Sequence, residues 1–207
     1  MGLARVVSVL GQVIIRKLGD SGGTLRRDVE AELDNIIAWA KVSPRAIKRD
    51  TSIVGNVGAG LDVLHTFSLD TPNRLTVDGD YLSVWYAGLF ASNDTDKRVN
   101  AFFGGTAYEN TGVLDIDAGA WELQARIIRL SSTSVRVSHT MRYFGVHVDS
   151  ANAVNAFGGG FLSISRVSDI TGLANLGSNA TTMEVKGEGA ANDDVRQFLS
   201  IIELTQQ

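Results

Sequence analysis

Histidines, paired carboxylates and a glycine-rich run are the parts of this sequence whose residue types and spacing bear on chemistry. The three histidines, His65, His139 and His147, are solitary. None forms a pair on one helix face and none belongs to an H-x-H motif, the two spacings that bring imidazoles to one metal. His139 alternates with Val137 and Met141, and His65 with Val63 and Phe67, so both are expected to point inward as buried, hydrogen-bonded side chains. His147 stands in a short apolar run that assigns it no role. Asp78-Gly79-Asp80 and Asp94-Thr95-Asp96 set carboxylates two residues apart, a spacing that suits Ca²⁺. Neither continues into a loop with the terminal Glu of an EF-hand, and hairpin turns explain both. Which acids could be paired across a glycosidic bond is a three-dimensional matter that spacing does not decide.

Gly55-Asn56-Val57-Gly58-Ala59-Gly60 has the composition of a phosphate loop. Its order differs from G-x-G-x-x-G, and a strand follows where a helix N-terminus is required, so a linker is the expectation. There is no Cys, which removes disulfides, thiolate metal sites and a Cys nucleophile, and no G-x-S-x-G elbow occurs. Asn93-Asp94-Thr95 and Asn179-Ala180-Thr181 match a glycosylation pattern that has meaning only on a secretory route. The sequence thus assigns no catalytic, cofactor-binding or metal-binding residue; no cofactor is expected, and an enzyme is not the expected function. Aromatic rings remain as a handle for sugars. Tyr108 and Phe157, with Asn110, Asn152 and Asn155, fall in the longer predicted loops, where loop packing is the simpler account and no site is assigned.

These residues must be positioned by a chain of 207 residues, enough for one substantial domain and an appendage. Hydrophobic residues at 44% and charged residues at 20% lie in the globular range. Twenty-two Gly, two Pro and many β-branched residues favour strands joined by glycine turns. The net charge of −4 divides into +3 over residues 1–50 and −7 beyond. The acidic remainder argues against a nucleic-acid groove, which needs clustered positive charge. The apolar run Val6 to Ile15 is too short to span a bilayer, so no membrane insertion is expected. It also lacks the basic start and small-residue end of a signal peptide.

Residues 3–18 read as one or two short strands, and after the Gly19–Gly23 stretch Thr24 caps a predicted helix running to about Val42, just before Ser43-Pro44. Its apolar stripe, Leu25, Val29, Leu33, Ile36 and Ala40, suits packing against copies of itself or its own sandwich, with self-association preferred. From Lys48 to Gly60 the composition becomes that of a linker. Beyond it, eight strands are predicted, at 61–69, 81–90, 98–104, 121–130, 134–144, 161–166, 180–187 and 195–204. Eight is the count of a jelly-roll sandwich. In 134–143 Val135, Val137, Met141 and Tyr143 form one face and Ser134, Arg136, Ser138, Thr140 and Arg142 the other. Tyr81 to Phe90 carries bulk on both faces, Trp85 and Leu89 opposite Leu82, Val84, Tyr86 and Phe90. The last strand is read the same way, Val195, Leu199 and Ile201 opposite Phe198, Ile202 and Leu204. Two apolar faces need two covers, which points to a homo-oligomer.

The stretches GNVGAGLDVLHTFSL at 55–69, LTVDGDYLSVWYAGLFASNDTDKRV at 75–99, FGGT at 103–106, TGVLDIDAGAWELQARIIRLSSTSVRVS at 111–138 and KGEGAANDDVRQFLSIIEL at 186–204 resemble the C-terminal sandwich modules of bacteriophage virion proteins. The resemblance covers the chain from Gly55 onward and rests on strand and turn phrases. It implies a jelly-roll-like antiparallel β-sandwich, preceded here by a short amphipathic helix and an N-terminal extended segment. It also implies a homotrimer, a virion localisation and no catalytic residues. The organisation expected is a virion-anchoring segment over 1–22 that meets other virion proteins, a helical stem and linker over 23–50, and a sandwich head over 51–207. A tail-fibre or spike role in attachment, with host-surface carbohydrate as a partner, is the first expectation. A head-fibre or decoration protein held to the shell by its N-terminus is the alternative, and a carbohydrate-active or cupin-like enzyme a remote one.

Overall fold

The computed structural model describes residues 44–93, 95–147 and 160–206. The anchoring segment expected over 1–22, the helix expected from Thr24 to about Val42, and Asp94, Asn152, Asn155 and Phe157 lie outside the described residues.

All regular structure among the described residues is strand: β1 (Arg45–Asp50), β2 (Val54–Gly55), β3 (Gly60–Leu69), β4 (Tyr81–Phe90), β5 (Asp96–Phe103), β6 (Thr106–Asn110), β7 (Leu114–Ser131), β8 (Ser134–His147), β9 (Gly160–Ile170), β10 (Thr181–Gly189) and β11 (Val195–Thr205). They form two antiparallel layers. One runs β1-β11-β4-β7-β8-β9, with β2 also on β11; the other runs β3-β10-β5-β6. A short ladder, Asp96 to Asp115 and Lys97 to Leu114, joins the layers at one corner. The buried side chains of both layers form one core, with Leu82, Val84, Tyr86, Trp121, Leu123, Ile127, Val137, Met141 and Ile202 from the larger sheet and Leu69, Val99, Phe103, Met183 and Val185 from the smaller. The chain is therefore an antiparallel β-sandwich over the described residues.

All eight predicted strands are present, and three further ones are not apparent in the sequence. Residues 45–50, expected at the end of the stem and linker, form β1 and place the start of the sandwich before residue 51. Arg45, Lys48, Arg49 and Asp50 make this strand look like a linker, and charged side chains are what an edge strand carries. Only Ile47 of β1 packs on the core. β6 is hidden for another reason. Its register against β5 jumps between Ala101 and Phe102, so Tyr108 and Glu109 are both buried in succession and no alternation shows.

Two bulges correct the expected faces. In β11 the register with β4 shifts between Gln197 and Leu199, leaving Phe198 as the extra residue. A bulge reverses which side the following residues face. Val195, Ser200, Ile202 and Leu204 are consequently buried, while Phe198 is exposed. The expected grouping of Val195 with Leu199 and Ile201 therefore fails. In β3 the register with β10 shifts at Leu64, which turns Val63 out while Leu64 and His65 are buried.

β4 follows its predicted alternation, and one position on it is reserved by packing. Gly88 lies between Gln197 of β11 and Trp121 of β7. A Cβ there would overlap both the Arg196 carbonyl oxygen and the buried Trp121 indole. Gly88→Ala is expected to cost about 3 kcal/mol through overpacking, seen as a lower urea midpoint at unchanged slope.

Candidate functional site

Side chains alternate across a strand, so the residues of β4 that leave the core fall on the outer surface of the larger sheet. There the antiparallel register aligns Arg49, Ile201, Trp85, Gln124 and Thr140 in one row across β1, β11, β4, β7 and β8. The adjacent row is Ala46, Glu203, Ser83, Arg126 and Ser138. Apart from Ala46, the residues of these rows line an open trough of about 490 Å³. Trp85 is 40% exposed in it. The Arg126 guanidinium lies 4.0 Å from the centre of the Tyr81 ring, a cation–π contact that orients it. Among the described residues no carboxylate pairs with Arg49 or Arg126, and no cation with Glu203. On the neighbouring part of β8, by contrast, Arg136 is paired with Asp169 at 2.8 Å and Arg142 with Glu122 at 3.4 Å. The Gln124 amide bonds to Glu122, and the Thr140 and Ser165 hydroxyls are 2.8 Å apart. The trough thus joins an aromatic face to hydroxyls, an amide and three charges that have no ion-pair partner among the described residues.

The residues singled out in the sequence mostly serve the fold. His139 contributes only backbone to the trough, because its side chain is sealed in the core. Its Nε2 lies 2.5 Å from Glu109 Oε2, and Arg166 Nη1 donates to Glu109 Oε1 at 3.2 Å. The carboxylate is 1% exposed. A His–Glu pair has the composition of an acid–base couple, but such a couple must reach its substrate within hydrogen-bond distance, and this one is closed to solvent. Tyr108, expected in a loop, is on β6 and buried, its ring edge-on to His139 at 5.5 Å between centroids. Asn110 closes the end of β6, its Oδ1 accepting from the Gly112 amide. His147 is the last residue of β8.

Asp78-Gly79-Asp80 forms a turn. The buried Asp80 carboxylate accepts from the Thr76 and Val77 amides, and Asp78 accepts from Arg129 Nε at 3.0 Å. The Gly55–Gly60 run is likewise structural. Buried Asn56 donates to the Gly58 and Ala191 carbonyls and accepts from the Val195 amide, all at 2.9 Å, which ties β2 and the following loop to the start of β11. Asn93 and Thr95 both donate to Asp194. The Ala190 and Ala191 amides also donate to this carboxylate, and these bonds together hold it below its ordinary pKa against the opposing effect of burial.

His65 is buried with Nε2 3.1 Å from the Ser200 hydroxyl and its ring 5.5 Å from that of Tyr86. Burial, with the Lys48 charge adding to it and Asp50 opposing, lowers its pKa below the ordinary value. The unfolded chain then binds more protons than the folded one between the folded pKa and about pH 6.5, so this contribution to stability is complete above that window and falls as pH falls through it. Urea unfolding is expected to show the loss between neutral pH and about pH 5, at no more than about 1.4 kcal/mol per pH unit, with His65→Gln flattening the slope. An unchanged slope in that variant contradicts the assignment.

The polar side of β8 was legible as outward-facing, and Trp85 as lying on the face of β4 opposite Leu82, Val84 and Tyr86. That Arg49 and Glu203 join them was not, because β1 and β11 lie about 150 residues apart in sequence and meet only through register. No family model matches this chain, and no curated protein matches it. Among solved structures the chain is similar to the CBM2 module of Lactobacillus casei BL23 phage J-1 evolved Dit, over 79% of this chain and 97% of that one, with 7% identity and a TM-score of 0.26, a likeness too distant to bear on function.

Proposed function

We propose that this chain is a non-enzymatic structural protein of a bacteriophage particle, a trimeric tail-fibre or spike component whose sandwich is displayed for attachment to the host surface. The observation that carries the oligomer is the outer face of the larger sheet, where Leu89 at 40% and Phe198 at 37% exposure present apolar surface beside the trough. A neighbouring copy would cover that end and leave the polar trough open. The winding of eight strands supports the same reading: β1-β11-β4-β7 over β3-β10-β5-β6 is the order of a jelly roll, with β8 and β9 widening one layer. The stretches at 55–69, 75–99 and 111–138 that resemble virion sandwich modules fall on this frame. In this reading residues 1–22 meet other virion proteins.

Sedimentation of the full chain is expected to give a trimer that Leu89→Asp with Phe198→Asp dissociates; a monomeric wild type at micromolar concentration contradicts the oligomer. Immunogold labelling of the sandwich on intact particles locates the protein. Label at the tail supports attachment, and label over the shell replaces it with the decoration role.

A further inference from the structure

We propose that the trough across β1, β11, β4, β7 and β8 binds a segment of acidic polysaccharide, with a sugar ring on Trp85 and the anionic groups on Arg49 and Arg126. The inference rests on the attachment reading for its biological setting, while the site itself rests on three observations. The first is the aromatic platform: an indole 40% exposed in the floor of a concave surface is stabilised by a flat apolar cover, and the C–H face of a sugar ring supplies one. The second is the polar lattice around it. Ser83 stands two residues from Trp85 on β4, and Gln124, Ser138 and Thr140 on the next two strands, each about 4.8 Å apart, so the sheet holds hydroxyls and an amide at fixed spacing beside the ring. A ligand with a hydroxyl on most of its carbons matches that lattice, whereas an apolar ligand would strip water from these groups without replacing its hydrogen bonds.

The third is charge. Arg49 and Arg126 lack carboxylate partners among the described residues although Arg136 and Arg142 on the same face have them. Guanidinium groups suit carboxylate or phosphate oxygens, which they grip with two parallel bonds. Glu203, on β11 between the strands that carry Arg49 and Arg126, accepts from sugar hydroxyls. A nucleic-acid strand, charged at every nucleotide, is disfavoured by a chain whose net charge is −4.

The test uses the full chain, with polygalacturonate as the acidic probe and dextran as the neutral one, read by tryptophan fluorescence and calorimetry at low and high salt. Polygalacturonate is expected to bind and dextran to bind at least about tenfold more weakly. Trp85→Ala is expected to weaken polygalacturonate about tenfold or more, and Arg49→Gln with Arg126→Gln to do the same and remove most of the salt dependence. Trp85→Phe, which keeps a ring, retains most of the affinity and controls for folding. Equal binding of the two polymers, no binding of either, or binding that survives Trp85→Ala overturns the proposal. Loss of the trough's accessibility in the trimer, seen as binding only by the Leu89→Asp, Phe198→Asp variant, overturns it also and makes a second copy the occupant. Adsorption of labelled protein to cells of the phage's host separates the two levels. Adsorption that Trp85→Ala leaves intact refutes the trough and keeps the attachment role, whereas polygalacturonate binding without adsorption keeps the site and refutes that role.

Discussion

Glu109→Ala is expected to destabilise the sandwich by about 3–5 kcal/mol, because it removes the buried carboxylate that His139 and Arg166 share, losing both hydrogen bonds and leaving the His139 ring unsatisfied in the core. Glu109 lies on β6, at the edge of the smaller sheet, and its partners His139 and Arg166 lie on β8 and β9 of the larger one. The carboxylate therefore links the two layers where no ladder does. In its absence the His139 ring has no partner on either nitrogen among the described residues, since its Nδ1 already lacks one. Arg166 is half exposed and can turn to water, so the cost falls chiefly on His139. Glu109→Gln keeps an acceptor oxygen and is expected to cost less, about 1–2 kcal/mol. Thermal unfolding should show the alanine variant about 10 °C lower than wild type. A drop of under about 1 kcal/mol would mean that the link contributes no net stability. The same cluster shows in the phenols around it: burial first, and the Glu109 charge second, push Tyr108 and Tyr143 above the ordinary tyrosine range.

Trp121→Ala should have an effect of similar size, about 3–5 kcal/mol, through the cavity left by the largest side chain of the core. Its ring lies against Gly88, and the neighbouring backbone of β11 prevents easy collapse into the space. Trp121→Phe is expected to cost much less than the lost volume alone implies. The indole Nε1 is buried with no partner among the described residues, and phenylalanine removes that unsatisfied donor together with part of the ring. The Gly88→Ala and Trp121→Ala changes should be non-additive, because the methyl group enters the cavity that the alanine opens. Urea denaturation of both single variants and the double variant measures the coupling. Simple additivity would show that Gly88 and Trp121 do not share the space.

How far the structure was legible depends on where each residue's environment is encoded. Val135, Val137, Met141 and Tyr143 are buried as their alternation requires, and Tyr81 to Phe90 begins and ends where its composition suggests. The errors gather at bulges and edges. One extra residue, Phe198 in β11 or Leu64 in β3, reverses the faces without a mark in the local pattern. β1 and β6 carry the charges and polar groups that edges tolerate, so they resemble loops. Tyr108 was misplaced for the same reason: a neighbouring Glu is a sign of solvent unless its partners, 30 and 57 residues away, are known.

By itself the sequence determined that the chain is β-rich, where its longer strands run, and, in β8, which side meets water. These follow from a side-chain period of two, which is a property of a strand alone. The tertiary structure decided which strands lie side by side, and with that the trough and the Glu109 cluster. Both join residues far apart in the chain, Arg49 to Trp85 through Ile201 and Glu109 to His139 and Arg166. Their neighbourhood is set by the register of long-range pairing and by contact between layers, which no local pattern contains.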